Sequence, residues 1–166
     1  MTKLRIVLVV LAAALLTGVR TTTQSKPNPL QGVWQTVEAT TTGPGARTIV
    51  FPEPRANLVI FTARHYTRVE VQSETPRQPL ANTATATADQ LRATWGPVVA
   101  EAGTYEVTGD RVTMRPVASK NPAVMGAGVF ITYSYKIEGN TLWITQVQNQ
   151  SGPFANPFTT KSVRVE

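Results

Sequence analysis

Tyrosine and glutamine side chains at alternating positions in the second half of the chain are well placed to handle a small molecule. Hydroxyl and amide groups set among apolar side chains can orient a ligand in a partly wet cavity. Alternatively, the same side chains fill a small solid barrel, with the tyrosine hydroxyls at its rim. The predicted ligand-binding residues are Tyr105, Met114, Tyr133, Tyr135, Ile144, Gln146 and Glu38.

Glu38 joins this set because it shares a strand face with Trp34 and Thr36 if the first strand is regular. If Trp34 points inward, so does Glu38, and a buried carboxylate needs a charged or hydrogen-bonding partner. Glu38 is then a ligand anchor or a catalytic acid/base. Alternatively, the strand twists or bulges so that Glu38 reaches solvent, or an arginine inside the barrel neutralises it.

Other chemistry has little support in the sequence. His65 is the single histidine and there is no cysteine, so disulfides, thiolate chemistry and multi-histidine metal sites are excluded. His65 beside Tyr66 suits either a general acid/base or, as a lone loop histidine, a solvated surface position. No Gly-x-Ser-x-Gly turn or glycine-rich phosphate loop is present, and we expect no cofactor and no bound metal.

The beginning of the chain resembles an export signal. Lys3 and Arg5 precede an apolar run over 6–16, which is the length of a signal-peptide core and too short to span a bilayer. Val19 stands where a lipoprotein would carry its lipidated cysteine. We therefore expect a signal peptide over 1–20, a linker over 21–29 and one domain over 30–166, exported to the periplasm or secreted, without an integral span in the mature chain.

The composition favours an all-β domain that does not bind nucleic acid. Twelve prolines, eleven glycines and only 16% charged residues accompany abundant threonine and valine. The formal net charge of +6 falls when Lys3, Arg5 and Arg20 leave with the leader. The remaining basic residues are scattered, without the clustering that nucleic-acid binding requires.

An internal repeat fixes two hairpins. The segment over 105–113 matches the segment over 135–143, with Gly109-Asp110 and Gly139-Asn140 as two-residue turns. Such turns set the pairing, and paired residues share a sheet face. The predicted inner face is Tyr105, Val107, Val112, Met114, Ile131, Tyr133, Tyr135, Ile137, Leu142 and Ile144. On the outer wall, Lys136 faces Trp143 in a predicted cation–π contact.

The remaining elements follow from turn and cap signals. We predict strands over 33–41, 48–51, 58–61 and 66–71, and a closing strand over 158–166 that pairs with the first. Thr87 and Gln90 form a capping box that starts one short helix, and Gly96-Pro97 ends it.

The start Gly32-Val33-Trp34, the antiparallel meander and the closing strand Val163-Arg164-Val165 resemble a lipocalin-like domain of bacterial exported proteins. In that family the tryptophan plugs the closed end of the barrel and a late arginine packs across it, which implies those roles for Trp34 and Arg164. The resemblance implies binding of small apolar molecules. The helix lies in the middle of the chain, which departs from the family pattern. A barrel of the allene oxide cyclase type is therefore an alternative.

We therefore expect an all-β, up-and-down antiparallel β-barrel of about eight strands with one short inserted helix. The leading function is reversible binding of a small apolar or amphiphilic molecule. The alternatives are a cofactor-free isomerase or cyclase that uses Glu38 with tyrosine hydroxyls, and a structural domain whose barrel is filled.

Overall fold

The computed structural model describes residues 28–51 and 57–166. The predicted leader over 1–20 and most of the predicted linker lie outside these residues. The strands are β1 Gly32–Thr40, β2 Thr48–Val50, β3 Leu58–Phe61, β4 His65–Val71, β5 Val98–Thr108, β6 Arg111–Ser119, β7 Ile131–Glu138, β8 Thr141–Asn149, β9 Gly152–Pro153 and β10 Thr159–Arg164. The helix α1 covers Ala88–Trp95 between β4 and β5, and a 3-10 turn covers Pro122–Val124.

Eight of these strands form a closed antiparallel barrel. Each pairs with its neighbour in the order β10, β1, β3, β4, β5, β6, β7, β8, and β8 pairs with β10 to close the circle. The short strands β2 and β9 pair with β1 and β8. The predicted barrel, its strand number and its closure by the last strand against the first are confirmed.

The two repeated hairpins have the predicted register. Val107 pairs with Val112 across the first turn, and Ile137 pairs with Leu142 across the second. Gly109 and Gly139 adopt φ values of 60° and 55°, which glycine tolerates at the first central position of a type II′ turn. The register therefore follows from the turn chemistry.

The predicted inner face forms the core. Six of its members are buried, and the other four are partly buried against them. Lys136 pairs with Trp143 on the outer wall, and its Nζ lies 5.8 Å from the ring centroid, which confirms the predicted cation–π contact. The assignment of inside and outside on these hairpins is therefore correct.

The helix α1 begins and ends where the sequence predicts. The Thr87 side chain accepts from the Gln90 backbone N–H, and the Gln90 side chain accepts from the Thr87 N–H, which completes the capping box. The Gly96 N–H donates to the Arg92 carbonyl at the carboxyl end. None of the helix residues is buried, so α1 adds nothing to the barrel core.

The two ends of the barrel differ in the length of their connections. At one end, turns of two or three residues join β3 to β4, β5 to β6 and β7 to β8. At the other end lie the long connections over 72–97, 120–130 and 150–158, the first of which carries α1. The short-turn end is closed by packed side chains, and the long-loop end holds the cavity.

Candidate functional site

A tryptophan and an arginine seal the short-turn end. Trp34 is fully buried, and its Nε1–H donates to the Leu30 carbonyl at 2.7 Å. Arg164 pairs with Trp34 across β1 and β10, and its guanidinium lies 4.0 Å from the ring centroid. The same guanidinium donates to the carbonyls of Pro29 and Gln31, at 3.1 and 2.7 Å. These contacts match the roles that the family resemblance implies for Trp34 and Arg164.

A layer of aromatic rings lies next to this plug. Phe61 and Tyr105 meet edge to face, with ring centroids 5.1 Å apart. The Tyr105 hydroxyl donates to the Thr62 carbonyl and accepts from Asn28 Nδ2, each at 2.6 Å. Tyr105 therefore helps to close the barrel.

Three charged side chains meet in the interior beyond the aromatic layer. Arg68 on β4 lies opposite Glu101 on β5, and Arg68 Nε is 3.1 Å from Glu101 Oε1. The Tyr66 hydroxyl donates to the same Glu101 oxygen at 3.0 Å. Glu70 also points inward, with its Oε2 3.9 Å from Arg68 Nη1. Both carboxylates are buried, and Arg68 is mostly so.

Glu70 uses only one of its two oxygens for hydrogen bonding. Its Oε1 accepts from the Thr36 hydroxyl at 2.9 Å. Because Thr36 donates its proton there, the Ser162 hydroxyl, 3.2 Å from Thr36 Oγ1, must donate to Thr36. Glu70 Oε2 is buried and has no hydrogen-bond partner among residues 28–51 and 57–166. One acceptor of a buried carboxylate is thus left open.

A cavity of about 230 Å³ lies next to this charged cluster, toward the long-loop end. One part of its wall is apolar and the other is polar. The apolar part is formed by Val59, Met114, Ile144 and Phe158. The polar part is formed by Arg68, Glu70, Gln72, Tyr133, Gln146 and Thr160.

The tyrosines beside the charged cluster are neutral hydroxyl donors. Burial, with the negative charge of Glu101, raises the pKa of Tyr66 above its ordinary value. Burial also raises the pKa of Tyr133, against the opposing effect of the Arg68 charge. Both side chains therefore remain protonated phenols at neutral pH.

The structure brings together four of the seven predicted site residues. Met114, Tyr133, Ile144 and Gln146 line the cavity. Tyr105 belongs to the closed end, and the hydroxyl of Tyr135 donates to the Gly109 carbonyl at 3.1 Å, at the same end. Both tyrosines lie on the inner face, as predicted. That face is longer than the cavity and continues to the end of the barrel that Trp34 and Arg164 close.

Glu38 does not line the cavity. The pairing of β1 with β10 shifts between Thr36 and Glu38, so Val37 is an extra residue that reverses the side-chain alternation. Ala39 takes the buried position instead, and Glu38 pairs with Val50, which is 63% exposed on the outer wall. The assignment of Glu38 to the inner face with Trp34 is therefore wrong, and the alternative of a bulge that turns Glu38 away from that face is the one observed. The isomerase alternative required Glu38 as an interior carboxylate, and the structure does not place Glu38 in the interior.

The interior carboxylates are Glu70 and Glu101, which the sequence reasoning missed together with Arg68. In β4 the residues alternate, and the apolar Val69 and Val71 suggest an inner face that excludes Arg68 and Glu70. The structure has the opposite alternation, with Val69 half-exposed. The neighbouring strand β3 could have indicated the correct face of β4. Phe61 pairs with Tyr66, and paired residues share a sheet face. An inward Phe61 therefore implies that Tyr66, Arg68 and Glu70 also point inward.

Two further kinds of site are absent from residues 28–51 and 57–166. These residues contain no group of three or more histidine, cysteine, aspartate or glutamate side chains that could hold a metal ion. They also contain no helix long and apolar enough to cross a membrane.

One comparison with known proteins identifies the family of this chain. No curated protein matches this chain significantly. The solved structure of an uncharacterized protein from Bacteroides eggerthii DSM 20697 is similar at 10% sequence identity and a TM-score of 0.41, covering 80% of this chain and 98% of that one. The lipocalin-like domain family matches residues 31–159, which is most of the chain. The chain therefore belongs to the lipocalin-like domain family.

Proposed function

We propose that this protein reversibly binds a small amphiphilic molecule inside its barrel. The observation that carries the proposal is the cavity, which joins an apolar wall to a buried polar cluster. Ligand sites commonly combine apolar lining with a few placed polar groups that fix orientation. Membership of the lipocalin-like family agrees with a role of this kind.

The cavity volume limits the size of the ligand. An apolar cavity of about 150 Å³ in another protein accommodates benzene. The 230 Å³ found here has room for a ring of that size with a short polar chain. We therefore expect a ligand of roughly ten non-hydrogen atoms.

The polar lining argues against a purely structural interior. A filled core would be expected to satisfy its buried polar atoms internally. Here Glu70 lines the cavity, and one of its oxygens has no hydrogen-bond partner in the part of the chain that the structure describes. A hydrogen-bond donor on a ligand would satisfy this oxygen.

A titration with 2-phenylethanol tests the proposal. This neutral probe has a ring for the apolar wall and a hydroxyl for the polar one. We expect saturable changes in backbone amide NMR shifts, concentrated on the strands that carry Met114, Tyr133 and Ile144. Native mass spectrometry of the protein purified from its own host should also detect a retained small molecule.

A blocking variant and a matched control give the titration its specificity. Ile144→Trp places a larger side chain in the cavity and should abolish binding, whereas Val117→Trp, at a position 70% exposed on β6, should bind as the wild type does. Met114→Trp, on another part of the wall, is the second blocking variant if Ile144→Trp fails to fold. Equal binding by the wild type and a folded blocking variant would contradict the proposal.

We also propose that the chain is exported, on the basis of the basic and apolar residues over 1–20. Cell fractionation with amino-terminal sequencing tests this. Recovery of a processed chain in the periplasm or medium is expected, and a full-length chain embedded in a membrane would contradict it.

A further inference from the structure

We infer that the ligand carries a protonated amine, and that Glu70 binds it. The inference rests on the proposed function and identifies the chemical class that the cavity takes. The observations that carry it are the charge balance of the cluster, the open oxygen of Glu70 and the position of both beside an apolar wall.

The interior cluster carries an excess of negative charge. It contains one guanidinium, Arg68, and two buried carboxylates, Glu70 and Glu101. Arg68 is closer to Glu101, at 3.1 Å, than to Glu70, at 3.9 Å. The single cation is thus engaged mainly by Glu101, and the charge of Glu70 is the less compensated of the two.

The hydrogen bonds around Glu70 reach only one of its two carboxylate oxygens. Thr36 donates to Oε1, and Ser162 in turn donates to Thr36. Oε2 has no hydrogen-bond donor within the described residues, although the Glu70 side chain is only 4% exposed. An unsatisfied buried acceptor is costly, so a donor that reaches it contributes strongly to binding.

An ammonium group satisfies both the charge and the open acceptor. Charge-assisted hydrogen bonds are stronger than neutral ones, and attraction between charges increases where water is excluded. The adjoining side chains Val59, Met114 and Ile144 would cover the hydrocarbon part of such a molecule. A carboxylate ligand would instead meet the like charges of Glu70 and Glu101, and the charge of Arg68 already forms ion pairs with both of them, although its Nε–H makes no hydrogen bond within the described residues.

Three probes of similar size separate these chemistries. Titrations at pH 7 compare 2-phenylethylamine, 2-phenylethanol and phenylacetate, which differ mainly in the charge of the polar group. We expect the amine to bind about tenfold more tightly than the alcohol, because a hydrogen bond to a charged group replaces a weaker one. Phenylacetate should bind most weakly.

Glu70→Gln identifies the carboxylate responsible. It keeps an oxygen for Thr36 but removes the charge, so affinity for the amine should fall about tenfold while affinity for the alcohol changes less than threefold. The matched control is Glu106→Gln, which neutralises an exposed carboxylate on the outer face of β5 and should leave all three affinities unchanged.

The outcomes distinguish this inference from the proposed function. If the alcohol or phenylacetate binds at least as tightly as the amine, the inference is overturned while the binding function stands. The same holds if folded Glu70→Gln keeps full affinity for the amine. If none of the three probes binds the wild type, both proposals fail. Should Glu70→Gln not fold, the wild-type ranking of the probes still decides the inference.

Discussion

Single residues set the chemical character of the two halves of the barrel interior. At the closed end, Trp34 and Arg164 are held by carbonyl groups and by each other. In the middle, Arg68, Glu70 and Glu101 form a charged cluster whose hydrogen bonds are incomplete. A buried ion pair is weak evidence for stability, since its desolvation opposes its attraction. The incomplete hydrogen bonding of this cluster beside a cavity therefore supports the proposed binding function rather than a role in stability.

The buried tyrosines predict a loss of stability at alkaline pH. Burial raises the pKa of Tyr66 and Tyr133 in the folded protein above the value of about 10 in an unfolded chain. Above pH ~10 the unfolded chain therefore binds fewer protons than the folded one, and the free energy of unfolding falls as pH rises. Below that pH the stabilising effect of these phenols is fully present.

Tyr66→Phe measures the effect of one such group. In urea denaturation between pH 9 and pH 11, the decline of the unfolding free energy should be shallower than in the wild type by up to about 1.4 kcal/mol per pH unit above pH ~10. Met114→Leu changes the core without removing a titratable group, so its pH dependence should match the wild type. Identical slopes for Tyr66→Phe and the wild type would show that Tyr66 ionises without unfolding.

At the residue scale, the sequence predicted apolar and aromatic positions better than charged ones. Met114, Tyr133 and Ile144 could be placed because they lie on strands whose register a two-residue turn fixes. Glu38 was misplaced because nothing in the single sequence marks Val37 as a bulge. Glu70 was missed because burial of a carboxylate depends on partners such as Thr36 that come from another strand.

The elements of the barrel differ in how firmly local sequence determines them. Glycine turns at 109–110 and 139–140 set the register of two hairpins, and the capping box sets the start of α1. The connection between β3 and β4 lacks glycine, and Thr62 holds it through hydrogen bonds to the His65 backbone. Its register therefore depends on barrel packing, which explains why the inner face of β4 could not be predicted from β4 alone.

Substitution of the turn glycines tests the hairpin assignment. Gly109→Val and Gly139→Val should each lower stability by about 1–3 kcal/mol, because a β-branched residue is strained at positive φ. A Cβ at either position would meet no atom within 4 Å, so the cost comes from the backbone. Asp110→Ala, in the same turn but at negative φ, is the control and should change the thermal midpoint little. Unchanged midpoints in both valine variants would contradict the turn assignment.

At the scale of the whole molecule, the barrel has one sealed end and one end that holds the cavity. The seal includes a segment outside the barrel strands, over 28–31. Leu30 in this segment is fully buried, Asn28 donates to the Tyr105 hydroxyl, and Arg164 donates to two of the segment's carbonyls. The sequence analysis divided this segment between the predicted linker and the predicted domain. Its role could not be predicted, because its contacts with the barrel end exist only in the folded structure.

A pair of truncated chains tests how much this segment contributes. A chain that begins at Gly32 lacks Leu30 and the carbonyl that accepts from Trp34 Nε1, whereas a chain that begins at Asn28 keeps both. Removal of the segment takes away the burial of one leucine and four hydrogen bonds, two of which are exposed to water. Together these losses predict that the shorter chain is about 3–5 kcal/mol less stable in urea denaturation. Leu30→Ala in the longer chain isolates the apolar part and should cost about 2–4 kcal/mol. If the two truncated chains unfold at the same urea concentration, Trp34 and Arg164 close the barrel unaided, and the segment over 28–31 has no role in the seal.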